Sequence, residues 1–376
     1  MKKIKILSVF GTRPEAIKMC PLVKALEVDE RFESRVCVTG QHRELLNQVL
    51  DIFHVVPSFN LDIMQNNQTL SMITVSVLKG MERVLKEYAP DYVLVQGDTT
   101  SGFATALAAF YSNIHVGHIE AGLRTYNKHS PYPEEINRQL ISRIAHMHFA
   151  PTQKNKEYLL NENIIENVFV TGNTGIDALS TTIKENYVFK NETLQGINKH
   201  AKIVLLTAHR RENWGTPLIN ICNAILRLSN KYPELLFVYP VHPNPIVSDT
   251  VHALLGKHSN IILTNPLDVE DIHNLLSKCW MVMTDSGGIQ EEAPHLGKPV
   301  IVLRTETERS EAVTANTSIV AGIETNRIVD TFEHIYNDHS VYNLMAQAYN
   351  PYGDGHSSQR IVDAIHSVAM KDNYTV

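Results

Sequence analysis

The sequence is organised around one stretch, Thr284-Asp285-Ser286-Gly287-Gly288-Ile289-Gln290-Glu291-Glu292-Ala293-Pro294. The apolar run Trp280–Met283 before it is typical of a short buried strand, and the residues after the glycines have the composition of a helix. A strand that enters a helix through Ser-Gly-Gly leaves unpaired N–H groups at the helix start, where phosphate can bind. The glycines admit a bulky diphosphate, and Glu291 and Glu292 follow as acceptors for sugar hydroxyls. An ordinary strand–turn–helix connection with a solvated acidic face gives the same pattern, so both interpretations stay open.

Length and composition predict a soluble protein of two domains. The 376 residues are about twice the usual domain length. The net charge of −6 gives no support for nucleic acid or an anionic membrane as a partner. No apolar run approaches membrane-spanning length, and the N-terminal residues begin a strand pattern rather than a signal peptide. The 4 cysteines are scattered without a C-x-x-C pair, which favours reduced core residues and a cytoplasmic location.

Short apolar runs alternate with longer helical segments in the first half of the chain. The predicted strands are Ile4–Phe10, Arg35–Thr39, Tyr92–Gln96, His115–Ile119, His148–Ala150 and Val168–Thr171. The predicted helices are Pro14–Glu27, His42–Phe53, Thr69–Tyr88, Thr100–Tyr111 and Glu134–His146. This alternation indicates a parallel sheet that helices cover on both faces.

The alternation stops at residues 183–200, which are polar and without periodicity, and we interpret them as a linker region. It then resumes with predicted strands at Ile203–Thr207, Leu236–Tyr239, Ile261–Leu263, Trp280–Met283 and Val300–Leu303. The sequence therefore predicts an α/β protein of two doubly wound Rossmann-like domains, residues 1–182 and 201–356. A predicted helix at Ser357–Met370 caps the second domain or crosses back to the first, and we expect residues 357–376 to join the first.

Polar residues follow the predicted strands in both halves. The segments are Gly11–Glu15, Gly97–Thr100, Glu120–Arg124, His209–Asn213 and His242–Pro245. Ligands of open α/β sheets bind beyond the carboxyl ends of the strands, so these segments predict an active-site cleft between the two domains.

Cations and acids among these residues suggest the chemistry. Arg13, Lys18 and Arg309 suit a phosphorylated ligand, although a surface arginine and an exposed helical lysine would have the same local pattern. Three carboxylates, those of Asp98, Glu120 and Glu134, are expected near strand ends, together with the imidazole of His209. Asp98 and Glu134 also suit helix N-termini, but the convergence of all four groups favours acid–base chemistry.

Several motifs that would indicate other chemistry are missing from the sequence. It has no G-x-G-x-x-G fingerprint, no P-loop and no G-x-S-x-G elbow, so no nicotinamide cofactor is predicted. The 18 histidines include no H-E-x-x-H or similar ligand spacing, so no metal is predicted, and His146 and His148 are interpreted as structural.

Taken in order, these motifs resemble one family over nearly the whole chain: the non-hydrolysing bacterial UDP-N-acetylglucosamine (UDP-GlcNAc) 2-epimerases. The matching segments are Phe10–Lys18, Gly97–Thr99, Gly117–Arg124, Tyr132–Glu135, Thr207–Asn213, Asp285–Pro294 and Asn350–Gly355. The resemblance implies two Rossmann-like domains of the glycosyltransferase-B type, an active site between them and a homodimer. It also implies interconversion of UDP-GlcNAc and UDP-N-acetylmannosamine (UDP-ManNAc) for surface polymers such as capsule or teichoic acid.

The resemblance carries residue roles onto this sequence. The implied catalytic residues are Asp98, Glu120, Glu134 and His209. The implied substrate-binding residues are Arg13, Lys18, His242, Ser286, Gly287, Gly288, Glu292 and Arg309, with Ser286–Gly288 on the diphosphate and Glu292 on the ribose. The resemblance also implies a second UDP-GlcNAc that binds as an activator. The implied residues of that site are Gln41, His42, Glu135 and Arg210 or Arg211. The sequence departs from the family pattern at Gln96, Asn67 and Ser310.

Inversion at C2 requires breaking a C–H bond that no neighbouring carbonyl acidifies. Loss of UDP from C1, coupled to proton removal at C2, gives a glycal to which UDP can add again, and it needs cations and several acid–base groups. Three alternatives remain: a hydrolysing epimerase, a retaining glycosyltransferase of the same architecture, and a catalytically silent sensor of sugar nucleotides. The glycosyltransferase needs no carboxylate cluster around C2, and the sensor needs no catalytic residues.

Overall fold

The computed structural model describes residues 3–40, 43–65, 68–198 and 200–372. Within it the chain divides into two compact units. The first unit contains the residues up to Thr181 together with those from Tyr352 onward, and the second contains Thr182–Pro351.

The first unit is built on a parallel sheet of 7 strands in the order β3-β2-β1-β4-β5-β6-β7. The strands are β1 (Ile4–Phe10), β2 (Phe32–Val38), β3 (Phe59–Asn60), β4 (Tyr92–Gln96), β5 (His115–Ile119), β6 (Met147–Ala150) and β7 (Val168–Val170). From β1 the chain first adds strands on one side, β2 and β3, and then returns to add β4 and the later strands on the other side. The parallel pair of β1 and β4 is therefore the topological switch point, where ligands of such sheets bind.

Helices cover both faces of this sheet. Their apolar residues recur at helical spacing, so each helix has one apolar face that can pack on the strands. They are α1 (Arg13–Val28), α2 (Arg43–Phe53), α3 (Leu70–Tyr88), α4 (Thr100–Tyr111), α5 (Glu134–Ile144), α6 (Gln153–Asn161) and α7 (Thr174–Thr182). In α3, Val77, Met81 and Val84 are fully buried against the central strands. This spacing places them on one helix face, and their burial removes apolar surface from water.

The second unit has a parallel sheet of 6 strands in the order β10-β9-β8-β11-β12-β13. The strands are β8 (Lys202–Thr207), β9 (Leu235–Pro240), β10 (Ile261–Thr264), β11 (Met281–Thr284), β12 (Val300–Val302) and β13 (Ser318–Val320). This is the strand order of the dinucleotide-binding fold, with its switch point between β8 and β11.

The helices of the second unit follow the same pattern. They are α8 (Glu192–Gln195), α9 (Thr216–Lys231), α10 (Pro245–Leu255), α11 (Val269–Lys278), α12 (Gly287–His295), α13 (Ser310–Thr314), α14 (Thr325–Asn337) and α15 (His339–Gln347), with a 3-10 turn at Arg211–Asn213. The last helix, α16 (Ser357–Asp372), packs on α1 in the first unit.

The predicted α/β class with two doubly wound sheets is confirmed. The structure adds the edge strands β3 and β13, which are too short, at 2 and 3 residues, to show a periodic pattern. Residues 183–200 are interpreted as a linker from the sequence, but those of them up to 198 that the structure describes belong to the second unit. Phe189 and Leu194 are buried in its core, and the backbone N–H of Lys190 donates to Asp271 at 2.9 Å. Two apolar anchors are too few to register as periodicity.

None of the helices in the described ranges combines the length and the apolar character that a membrane span requires.

The loop after β5 depends on a glycine. Gly122 has φ of +88°, and a Cβ there would lie 2.8 Å from the backbone C of Asn155 and closer still to its O. The left-handed conformation is accessible to glycine at little cost, and no side chain fits against the neighbouring backbone.

We expect Gly122→Ala to lower the free energy of unfolding by roughly 2–4 kcal/mol, because strain and overpacking add. Urea denaturation followed by circular dichroism measures this change. Gly196→Ala is the matched control, since Gly196 has φ of −82° and a Cβ there would have no other atom within 4 Å. The free energy of unfolding of Gly196→Ala should stay within about 0.5 kcal/mol of that of the parent. Equal midpoints for the two variants would contradict the packing argument.

Candidate active site

A buried carboxylate links the two loops at the switch point of the first sheet. Glu15 Oε2 accepts hydrogen bonds from the backbone N–H groups of Gly11 (3.0 Å) and Thr12 (2.7 Å) and from Thr12 Oγ1 (2.8 Å). Its Oε1 accepts from Thr99 Oγ1 at 2.7 Å. Burial raises the pKa of Glu15, and these hydrogen bonds oppose that rise. Sequence reasoning did not select Glu15, although the capping box of Thr12 and Glu15 is visible as T-x-x-E.

Glu120 follows β5 and is fixed by three side chains. Lys18 Nζ forms an ion pair with its Oε1 at 2.5 Å, Asn173 Nδ2 donates to Oε1 at 3.2 Å, and Gln96 Nε2 donates to Oε2. The backbone of Glu120 has φ of 64°, a conformation that costs a non-glycine residue about 1 kcal/mol. Such strain persists only where the surrounding contacts hold the residue in place, and the three donors to the carboxylate do this for Glu120. Lys18, predicted to bind phosphate, contacts the predicted catalytic carboxylate.

Asp98 lies just beyond β4 and is held by α5. Its Oδ2 accepts from Arg138 Nε at 2.7 Å, and its backbone O accepts from Asn137 Nδ2 at 2.9 Å. The Arg138 side chain is 9% exposed and that of Asp98 is 26% exposed, so the pair is shielded from water but not sealed. Arg138 and Asn137 were not selected from the sequence, because residues inside a helix carry no motif.

The first two residues of α5 differ in environment. Glu134 is half-buried, and no hydrogen bond or ion pair of its carboxylate occurs among the described residues. Glu135 is fully buried and accepts from the N–H groups of Thr125 (2.9 Å) and Tyr126 (3.1 Å) and from Gln139 Nε2 (2.9 Å). Burial alone would raise the pKa of Glu135, but these donors outweigh it and the pKa is lowered. In this structure Glu135 holds the loop at 125–126 in place.

Arg13 is the other predicted site residue of the first unit that the structure describes. Arg13 is half-buried at the first position of α1, next to the loop that Glu15 closes. Gln41, His42 and Asn67 lie outside the described residues.

A second buried carboxylate occupies the switch point of the second sheet. Asp285 follows β11 and is fully buried. Its Oδ2 accepts from the backbone N–H groups of His209 and Arg210, both at 2.8 Å, and from Asn213 Nδ2 at 2.9 Å. Asp285 therefore fixes the loop that follows β8 and carries the predicted catalytic histidine. Asp285 belongs to the stretch Thr284–Pro294, but sequence reasoning assigned it no role.

His209 faces the same carboxylate with its ring. Its Nδ1 lies 3.4 Å from Asp285 Oδ1, and its side chain is 41% exposed. Burial is the main cause that lowers the pKa of His209, with smaller effects from Arg210 and His242 in the same direction and from Asp285 in the opposite one. The ring is therefore neutral near pH 7, with Nδ1 beside the carboxylate.

His242 stacks against His209, with ring centroids 5.8 Å apart and planes within 10°. Its Nδ1 accepts from the backbone N–H of Asn244 at 3.2 Å. A backbone N–H can only donate, so the neutral ring of His242 carries its proton on Nε2 and can donate it to a ligand. The predicted activator residues Arg210 and Arg211 lie on the same loop as His209, half-buried and exposed respectively.

The start of α12 forms an anion cradle. Ser286 is the N-cap, its side chain makes no capping hydrogen bond, and Gly287 and Gly288 begin the helix. A Cβ on Gly287 would lie 2.7 Å from Arg309 Cζ, so the guanidinium lies directly over this glycine. Arg309 is oriented by Glu291, whose Oε1 accepts from its Nε at 2.9 Å. The N–H groups at the start of a helix, the helix dipole and a guanidinium together favour a phosphate.

Glu292 extends this cradle by about one helical turn. Its Oε2 lies 3.5 Å from Nε2 of the buried His273, whose Nδ1 is 2.7 Å from Thr182 Oγ1. The carboxylate of Glu292 therefore lies beside a buried ring that has little freedom to move.

Two Rossmann-type sheets, an anion cradle and carboxylates at strand ends define an α/β protein with a fold like that of the glycosyltransferase-B class. The family model for UDP-N-acetylglucosamine 2-epimerase matches residues 24–366. The chain belongs to this family.

Curated and solved relatives agree with this assignment. The UDP-N-acetylglucosamine 2-epimerase of Bacillus subtilis is 50% identical over 366 residues, which cover 97% of this chain and 96% of the relative. The UDP-GlcNAc 2-epimerase of Neisseria meningitidis, solved with UDP-GlcNAc, has a TM-score of 0.90 and 47% identity, covering 97% of this chain and 100% of the other. An S. aureus protein solved with UDP has a TM-score of 0.88 and 48% identity, covering 97% of each chain.

We expect Asp285→Asn to lower the pKa of His209, because the carboxylate at present favours the imidazolium form. Titration of the His209 ring signal by NMR, assigned with a His209→Asn variant, measures the shift. Asp249→Asn, at an exposed position of the same unit, is the charge-matched control. An unchanged or higher pKa in Asp285→Asn would show that Asp285 does not act on the ring.

Proposed function

We propose that this protein interconverts UDP-GlcNAc and UDP-ManNAc without net hydrolysis, by elimination of UDP to a glycal and re-addition. Family membership supports the substrate. The observation that carries the proposed chemistry is the fixed position of Glu120, with its strained backbone and three donors, at the same carboxyl edge of the first sheet as Asp98. A protein that only binds UDP would not need such a group.

Elimination breaks the C1–O bond, and UDP leaves with the electron pair. A carboxylate removes the C2 proton, and the C–H electron pair forms the C1–C2 double bond. Re-addition returns UDP to C1 and a proton to the opposite face of C2, so the reaction is balanced without an oxidant. The N-terminus of α12 and the Arg309 guanidinium would stabilise the charge on departing UDP.

The two faces of C2 require more than one acid–base group. Asp98, Glu120 and Glu134 supply carboxylates from three different elements of the first unit, and His209 supplies a neutral imidazole. Lys18 is assigned to orienting Glu120, since its ammonium lies 2.5 Å from that carboxylate. Arg138 has the corresponding role for Asp98.

Incubation of UDP-GlcNAc with the protein in deuterated water, followed by proton NMR, tests the reaction. We expect a second anomeric signal for UDP-ManNAc and deuterium at C2 of both sugar nucleotides, because the proton removed is exchanged before it returns. Accumulation of UDP and free ManNAc would instead establish a hydrolysing epimerase. Bound UDP without turnover would favour a transferase or a sensor.

Substitution separates catalysis from binding. Asp98→Asn, Glu120→Gln and His209→Asn should each reduce epimerisation by roughly 10²–10⁴-fold, because each removes an acid–base group. UDP affinity, measured by calorimetry, should change little.

Arg309→Ala should weaken UDP binding by roughly 10–100-fold, since a charge-assisted contact is lost. Arg227→Ala, at an exposed position of the same unit, is its control. Loss of UDP binding in the three acid–base variants, or normal binding in Arg309→Ala, would contradict these assignments.

The family resemblance extends the proposal to the physiological role. We infer a cytoplasmic homodimer that supplies ManNAc units for capsule or teichoic-acid synthesis. A second UDP-GlcNAc would act as an activator, with Gln41, His42, Glu135 and Arg210 or Arg211 as the residues that the resemblance assigns to it. Glu135 is buried and holds the loop at 125–126.

A further inference from the structure

A second cluster of ligating side chains lies at the opposite edge of the first sheet. His115 is the first residue of β5, His146 directly precedes β6, and Asp372 ends α16. Their ligand atoms all lie within 4.8 Å of one another, and no other such group of three occurs in the described part of the chain. We propose that these three residues bind a divalent transition-metal ion of the zinc type.

The two histidines are placed by paired strands. β5 and β6 are adjacent and parallel, and the backbone N–H of His146 donates to Val116 O at 2.8 Å. Their rings stack with centroids 4.2 Å apart and planes 24° from parallel. Because the nitrogens of stacked rings lie in nearly parallel planes, binding of one ion by both rings requires rotation of the side chains. Imidazole nitrogens and a carboxylate are ligands that Zn²⁺ prefers.

The third ligand is already oriented. Tyr92, the first residue of β4, donates its hydroxyl hydrogen to Asp372 Oδ2 at 2.6 Å, and the same oxygen lies 3.3 Å from His146 Nε2. A hydrogen bond to a ligating carboxylate is the usual support for a metal site. The side chains of His146 and Asp372 are 29% and 33% exposed, and His115 is exposed, so an ion can enter and water can complete the coordination.

Two residues of the cluster, His115 and Asp372, line a groove of about 840 Å³, which Arg31, Asp91 and His366 also line. Arg31 is paired with Asp29 at 2.6 Å and with Asp363 at 2.8 Å, so its charge is largely compensated. A bound ion would link α16 to the ends of β5 and β6. Its role would be structural, because the site is at the amino edge of the sheet and the acid–base residues are at the carboxyl edge.

Zn²⁺ titration of the untagged, chelator-treated protein, in competition with a chromogenic chelator, tests the proposal. We expect one ion per chain and a rise in Tm of roughly 5 °C when Zn²⁺ is in excess, because the ion binds only the folded state. His115→Ala and His146→Ala should each weaken binding by at least tenfold, and Tyr92→Phe by roughly tenfold. At equal Co²⁺ concentration, the visible absorption of bound Co²⁺ should be weaker in each histidine variant than in the parent, because one nitrogen ligand is lost.

His366→Ala is the matched control, since this histidine lines the same groove without belonging to the cluster. It should bind Zn²⁺ like the parent. Epimerisation by each variant, measured in the absence of metal, confirms that the fold is intact. Asp372→Asn removes the charge of the third ligand while keeping the size of the side chain, and it should also weaken Zn²⁺ binding. Absence of stoichiometric binding, or equal affinity in parent and cluster variants, would overturn the proposal. So would an equal loss of affinity in His366→Ala.

Discussion

Each unit depends on one buried carboxylate that joins the two loops of its switch point. Glu15 performs this function in the first unit and Asp285 in the second. A buried charge is costly unless it is hydrogen-bonded. Glu15 accepts hydrogen bonds from the loops after β1 and β4, whereas Asp285, which itself follows β11, accepts them from the loop after β8. The carboxylate is therefore stable only when both loops are correctly placed. Arg13, Asp98 and His209 are proposed site residues that lie on or next to these loops, so their positions depend on the buried carboxylate.

The same principle explains why the proposed catalytic groups are paired. Glu120 is held by Lys18, Gln96 and Asn173, and Asp98 is held by Arg138. An acid–base group must be oriented before the substrate arrives, because the free energy of ordering it would otherwise be added to the barrier. The left-handed backbone at Glu120 indicates that part of the folding free energy is spent on this orientation.

The sequence predicted the strands other than β3 and β13, the polar segments that follow them and the family, because periodicity and motif order are local properties. It did not predict that Lys18 pairs with Glu120, or that Glu15 and Asp285 organise the loops, since these contacts join distant segments. Arg138, inside a helix, was not selected as a site residue for the same reason. The linker interpretation of residues 183–200 missed Phe189 and Leu194, which are anchored singly rather than periodically. His115, His146 and Asp372 have no motif spacing and meet only through sheet pairing.

The two ends of the first sheet show how one topology can serve two purposes. Parallel strands bring their carboxyl ends to one edge, where loops of variable length can carry chemistry, and their amino ends to the other, where connections are tighter. Tyr92, His115 and His146 lie at or next to the starts of three adjacent strands and contact the last turn of α16. The end of the C-terminal helix is thus held at the amino edge of the sheet, opposite the loops that carry the proposed acid–base residues of this unit. Substitutions at that edge should change stability and metal affinity without changing the chemistry at the opposite edge.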